Sequence, residues 1–285
     1  MFIDYGSKPP TKAFNPPQTA HLANYRRVYA GSESRVEKPV SEKAALAKYL
    51  KTYEALGAKH VVVKARDNET TFGIKIRNED VAAYCRKHSR FIGFAGVDPH
   101  KGMAAVRELE FAVRELGLRG LNLQCFELKL AINDKRMYPL YAKCVELDIP
   151  VNIHCGINFS TASLMDYGRP AYLDEVMQHF PDLRVCASPP GWPWIEELIG
   201  VAWRHPNVHI GIVAVRPKLL TTEDAGYRPL LAYGTRMLKR RILTGTAYPM
   251  QPLEDAYREF DALPLPDDVR RAWMHDNAAR FLGLV

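Results

Sequence analysis

No run of apolar residues in this 285-residue sequence approaches the roughly 20 needed to span a bilayer, so a transmembrane helix is not predicted. The opening residues MFIDYGSKPP lack the basic, apolar, small-residue order of a secretory signal, and a cytoplasmic protein with no membrane partner is expected. The five cysteines (Cys85, Cys125, Cys144, Cys155 and Cys186) include no CxxC or other paired spacing, which argues against a disulfide framework and a structural zinc site. A basic stripe is missing too. The formal charge is +7, but Lys and Arg are interspersed with acids, as in RNEDVAAYCRKH, and the one dense run, Lys239-Arg240-Arg241, reads as a helix end. No nucleic-acid partner is expected. Internal repeats and low-complexity tracts are also absent.

What remains is a chain that is 47% hydrophobic and 25% charged, enough for a substantial core. Short, nearly apolar runs recur at Phe2–Tyr5, His60–Ala65, Phe91–Val97, Leu118–Gln124, Pro150–Cys155, Arg184–Ser188, Val208–Val215 and Arg241–Thr246, as expected of strands covered on both faces. Helical periodicity fills the intervals. Ser41 is a candidate N-cap for a stripe of Ala45, Leu46, Tyr49, Leu50 and Tyr53 that Gly57 closes, and AAVRELEFAVRELG repeats the pattern. Further helices are predicted near 134–147, 170–180, 192–204, 228–239 and 252–260, with a last one ending at NAARFLGL. About eight strand–helix alternations in one domain's length predict an α/β protein, a (β/α)8 TIM barrel forming a single domain over residues 1–285. A doubly wound sheet would need a Gly-rich first turn, and YGSKPP is not one. Gly6 to Val40, with Pro9, Pro10, Pro16, Pro17 and Pro39, interrupts the alternation. This Pro-rich excursion after the first strand is a candidate lid or substrate wall, or else a packing arm or oligomer contact.

In order along the chain, RFIGFAGVDPHKG, GLRGLNLQ, RMYPLYAKCVELDIPVNIHCG, HFPDLRVCASPPGWPW, HPNVHIG, RILTGTAYPM and HDNAARFLGL resemble the amidohydrolase-related family of metal-dependent TIM-barrel hydrolases and decarboxylases. Aminocarboxymuconate-semialdehyde and γ-resorcylate decarboxylases belong to it. The resemblance implies a His-x-His pair after strand one, a His after strand five, often a His after strand six, and a proton-handling Asp after strand eight. Those positions fall here at Gly6 and Lys8, His154, Pro189 and Ala247. One histidine beside Cys155 does not supply the three or four converging ligands of a transition-metal site, since adjacent strand residues face opposite ways. No metal and no other cofactor is therefore expected, the alternative being a rearranged site drawn from His21, His100, Asp98 or Glu127.

Without a Lewis acid to lower the pKa of water, plain acid–base chemistry remains: hydrolysis of an activated ester or lactone, hydration or dehydration, or C–C cleavage such as decarboxylation. His154 is the candidate proton carrier, Glu127 the second candidate base and Tyr248 a candidate proton donor. If Val61 and Val63 face the helices, Lys64 and Arg66 point into the barrel mouth, either to bind a substrate anion or to pair with Asp67, Glu69 or Glu127. Asn122, Gln124 and Asn152 are candidate carbonyl binders or a structural polar layer. Lys8 and Arg216 extend the positive lining, with Lys8 standing where a metal ligand would be. Trp192-Pro193-Trp194 reads as helix-start packing. The expected function is a metal-independent amidohydrolase-like enzyme acting on a small anionic or aromatic substrate (a carboxylated or phenolic ring, or a lactone), assembled as a homo-oligomer. The alternative is a catalytically silent binding or assembly subunit of an active relative.

Overall fold

Among the described residues ten strands form: β1 (Phe2–Asp4), β2 (Ala58–Lys64), β3 (Arg66–Asn68), β4 (Ile74–Ile76), β5 (Phe91–Gly96), β6 (Leu121–Leu123), β7 (Val151–Ile153), β8 (Val185–Ala187), β9 (Val208–Ile212) and β10 (Ile242–Thr244). Eight of them pair in parallel in the order β1-β2-β5-β6-β7-β8-β9-β10, alternating with helices as a (β/α)8 TIM barrel. The computed structural model describes residues 1–16, 20–33 and 41–285, so Pro17, Pro39 and Val40 of the Pro-rich excursion lie outside the described residues. Between β10 and β1 the barrel is stitched by Tyr5 N–H to Thr244 O at 2.9 Å and Ala247 N–H to Gly6 O at 2.8 Å.

Alternation along the strands sorts the core into two layers. Val61, Val63, Leu121, Leu123, Val151, Ile153, Val185 and Ile210 pack with the helices. Ile3, Tyr5, Val62, Phe94, Cys186 and Leu243 fill the barrel interior together with Ala278, Ala279, Phe281 and Leu282. The last helix, Asn277–Phe281, thus closes the end of the barrel where the strands begin. Arg119 and Arg184, which precede β6 and β8, hold it by bonds to Leu282 O and Phe281 O (3.0 and 3.1 Å).

Local signals act as expected at several element ends. Ser41 caps the helix Glu42–Ala55, its hydroxyl accepting from Ala44 N–H at 3.2 Å, and Gly57 follows at φ +70. The helix predicted over 228–239 stops at Gly234 instead. Trp273 Nε1 donates to Gly234 O at 3.1 Å, and Leu238 N–H turns to Tyr233 O, so a tertiary contact takes the acceptor that the next helical turn needs. Asn277 reinforces the join through Ile242 O at 2.7 Å. The antiparallel β3–β4 hairpin is absent from the sequence reading because three-residue strands are too short to carry a period.

Within the excursion, Asn15 Nδ2 bonds Pro9 O (2.8 Å) and Thr11 O (2.9 Å), and Phe14 is buried against Tyr84 at 5.2 Å. A helix, Ala23–Glu33, then crosses the barrel mouth. Asn24 Nδ2 anchors it to Phe159 O (2.9 Å) after β7, and Tyr29 OH to Ala214 O (3.2 Å) after β9.

Candidate active site

The ends of all the barrel strands except β5 contribute to one cavity of about 350 Å³ beneath that crossing helix. Lys8, Lys64, Arg66, Asn122, Gln124, Asn152, His154 and Tyr248 all line it. The alternation argument for β2 holds, since Val61 and Val63 face the helices and Lys64 faces inward.

Lys64 stands on the cavity floor. Its Nζ donates to Asn152 Oδ1 at 3.0 Å and lies 4.5 Å above the Tyr5 ring, and no carboxylate among the described residues pairs with it. A chain of amides fixes that geometry. Asn122 Nδ2 donates to Ala65 O (2.9 Å), while Asn122 Oδ1 accepts from Asn152 Nδ2 (2.9 Å) and from Gln124 Nε2 (3.0 Å). The Asn152 carbonyl oxygen therefore has to face Lys64. These amides form a polar layer that orients the ammonium. Burial lowers the Lys64 pKa to about 8, against the opposing pull of Cys186 and Asp4.

Gly6 makes room for this amine. A Cβ on Gly6 would lie 3.4 Å from Lys64 Nζ and 3.0 Å from Val213, so a larger side chain at position 6 would displace the ammonium. Below it, buried Asp4 accepts from Gly6 N–H (3.0 Å), Thr246 N–H (3.0 Å), Thr246 OH (2.6 Å) and Tyr53 OH (2.6 Å), locking the β1 and β10 turns together. Burial still raises its carboxyl pKa. An acid inside the apolar FID strand was the available sequence signal for this clasp.

His154 is buried, with its ring 4.6 Å from Phe126; Nδ1 has no hydrogen-bond partner among the described residues and lies 3.2 Å from where a Cβ on Gly168 would sit. Burial, only partly offset by Glu127, lowers its pKa to about 4, so the imidazole is neutral near pH 7. Glu127 does not line the cavity. It lies in the helical turn Cys125–Leu128 behind Arg66, whose Nη1 contacts both carboxylate oxygens at 2.8 and 3.0 Å, and it also bonds His21 Nε2 (3.1 Å) and Asn68 Nδ2 (2.9 Å). Burial pushes the Glu127 carboxyl up, but the Arg66 charge and the His21 and Arg66 bonds bring it down to about 2, which makes it a poor base. Its contact is with Arg66, so the pairing alternative applies to that residue and not to Lys64. Arg216 turns away from the cavity to pair with Glu259. Ala214, at φ +61, breaks the alternation after β9, so extending strand parity to residue 216 misplaces that side chain. Tyr248 packs 5.2 Å from Tyr49, and burial raises its pKa, keeping the phenol protonated.

The opposite wall is aromatic. Tyr25 lies 5.9 Å from Phe126 and 5.5 Å from Phe159, and Tyr29 lies 5.9 Å from Phe159. Sequence reasoning missed Tyr25 and Tyr29 because the excursion reads as irregular, although their i, i+4 spacing was a usable signal. Trp192, read as helix-start packing, also lines the cavity.

Gly6, Lys8, His154, Pro189 and Ala247, the five positions that correspond to metal ligands in the resemblance, all border this cavity, and His154 alone of them carries a ligating nitrogen. Among the described residues, no three or more His, Cys, Asp or Glu side chains converge to hold a metal ion. The residues present do not fit the metal centre. No helix among the described residues is long and apolar enough to cross a membrane.

A family model described as Amidohydrolase matches residues 26–284. An uncharacterised TIM-barrel protein from Bordetella bronchiseptica has 28% sequence identity with a TM-score of 0.82, the match covering 99% of this chain and 98% of that one. The 5-carboxyvanillate decarboxylase of Sphingomonas paucimobilis matches with 18% identity, a TM-score of 0.67 and coverage of 99% and 98%. A dihydroxybenzoic acid decarboxylase from Polaromonas sp., solved with bound manganese and 2-nitroresorcinol, matches with 16% identity, a TM-score of 0.62 and coverage of 99% and 97%.

Proposed function

The chain belongs to the amidohydrolase family, and from that premise we propose that it is a single-domain enzyme, residues 1–285, acting without a metal ion on a small carboxylated or phenolic ring or lactone. Decarboxylation of an electron-rich aromatic acid is the first reaction to test, in view of the 5-carboxyvanillate and dihydroxybenzoic acid decarboxylases that share the fold. The observation that carries the reading is the Lys64 ammonium, next to the space left by Gly6, in a cavity with an aromatic wall.

The roles follow from charge and geometry. The aromatic wall of Tyr25, Phe126 and Phe159 accepts a planar ring. Arg66 spends Nη1 on Glu127 and, among the described residues, keeps its other guanidinium N–H groups for a substrate carboxylate, and Lys8 adds a second cation to the lining. Protonated Lys64 offsets negative charge on a phenolic oxygen and supplies the proton that the ring carbon takes up as carbon dioxide leaves. Neutral His154 accepts the phenolic proton, and Tyr248 is a further proton donor. Activity should fall above about pH 8 as Lys64 loses its proton, and below about pH 4 as His154 gains one. A cavity lined by cations instead of being packed with apolar side chains favours the enzyme reading over a silent assembly subunit.

The test is carbon dioxide release from 5-carboxyvanillate and 2,6-dihydroxybenzoate, with metal analysis of the same sample. Turnover that survives chelation and is lost in His154→Ala supports the proposal. Turnover that appears only after manganese or zinc is added would overturn the metal-free mechanism. No turnover, together with no binding of either acid, favours the silent barrel.

A further inference from the structure

Lys64 has a capability that anion binding does not use. Its part-buried side chain places Nζ inside the barrel mouth, without a carboxylate partner among the described residues and open to a cavity large enough for a small molecule. Its one hydrogen-bond partner among the described residues is Asn152 Oδ1, which the Asn122 bond prevents from rotating, so the amine is held at a fixed point. The Tyr5 ring covers one side at 4.5 Å, and the missing side chain of Gly6 leaves another side uncrowded. The groups around it are Asp4 and Tyr5 on β1 and its following turn and Cys186 on β8, and His154 and Arg66 line the same cavity.

We propose that Lys64 captures carbonyl compounds, and that the cavity binds small oxo acids as an imine on Nζ, with the acid's carboxylate held by Arg66. The neutral amine attacks the carbonyl carbon, forming a C–N bond while the carbonyl electron pair moves to oxygen. That oxygen leaves as water, taking both amine protons, and the nitrogen lone pair completes the C=N bond. With a 3-oxo acid, the imine nitrogen then takes up a proton from solvent, and the resulting iminium draws in the electron pair of the carboxylate C–C bond. Carbon dioxide leaves, the enamine carbon takes a proton, and hydrolysis frees the ketone and the lysine. A lysine desolvated in this manner is a suitable nucleophile. With a pKa near 8, about one amine in ten is unprotonated at pH 7, roughly 300-fold more than for an ordinary lysine. This inference goes beyond the aromatic-acid reading and does not depend on it.

The experiment incubates the full chain with acetoacetate and sodium cyanoborohydride across a pH series, followed by intact-mass and peptide mapping. The expected result is one adduct per chain on the peptide containing Lys64, as reduced acetoacetate or, where carbon dioxide left first, as an isopropyl group. Labelling should rise with a midpoint near pH 8, and Lys64→Arg, which keeps the positive charge, should lose it. Labelling spread over surface lysines, or an unlabelled Lys64 in protein that remains folded by circular dichroism, would overturn the proposal. Because mapping is done on the unsubstituted chain, misfolding of the variant does not blur the outcome. Failure to release carbon dioxide from aromatic acids would leave this result untouched.

Discussion

Replacing Lys64 with methionine should make the protein more stable while removing its candidate chemistry. The folded pKa near 8 against 10.5 for an ordinary lysine means that the buried ammonium opposes folding. At about 1.4 kcal/mol per pKa unit the gap corresponds to about 3 kcal/mol. Water in the cavity reaches the part-exposed ammonium, so roughly half of that is a fair expectation. Methionine keeps the chain's bulk, and its loss of the bond to Asn152 Oδ1 costs about 1 kcal/mol, since cavity water can replace the donor. The net gain at pH 7 is then about 1 kcal/mol. The sign with pH is definite. Between pH 8 and 10.5 the unfolded chain holds a proton that the folded chain has released, so Lys64 makes wild-type stability rise over that range, and the substitution removes that rise. Urea unfolding with an unchanged m-value, followed from pH 7 to 10, reads both effects. A loss of more than about 1 kcal/mol at pH 7, or a pH slope common to both proteins, would refute the picture of a buried, unpaired cation.

Glu127→Gln breaks a buried ion pair and strands Arg66, so unfolding free energy should fall by about 3–5 kcal/mol, measured by denaturant titration. The depressed Glu127 pKa contributes stability that is complete above the unfolded value near 4.5 and is lost as pH falls towards about 2; acid titration of the wild type should show this loss, and the glutamine variant should lack it. Ala247 holds φ +54, which costs an L-residue roughly 1 kcal/mol, so Ala247→Gly should raise the melting temperature by a few degrees in calorimetry. Gly6→Val should crowd Val213 and displace the Lys64 ammonium, abolishing binding of aromatic acids in calorimetric titration while the fold survives by circular dichroism.

The barrel was legible because each strand–helix unit repeats the same burial demand, so eight approximate readings reinforce one another. Side chains at strand ends were legible for the same reason: parity carried Lys64 to the mouth, and the family resemblance placed His154 at the end of the fifth barrel strand. Parity fails once the chain leaves the strand. Ala214 in a left-handed conformation reverses the sense before Arg216, and a helical turn hides Glu127 behind Arg66. The Gly6 vacancy and the amide chain of Asn122 and Asn152 depend on packing across strands far apart in sequence, which no local window contains.

The helix Asn277–Phe281 seats Phe281 beneath Ile3 and Tyr5, so β1 rests on residues that are synthesised only after β10. On the ribosome the inner apolar ring therefore stays open at its base until the chain beyond β10 emerges. Nascent chains stalled before residue 277 should bind hydrophobic dyes and holding chaperones, and release them once that segment is free of the exit tunnel.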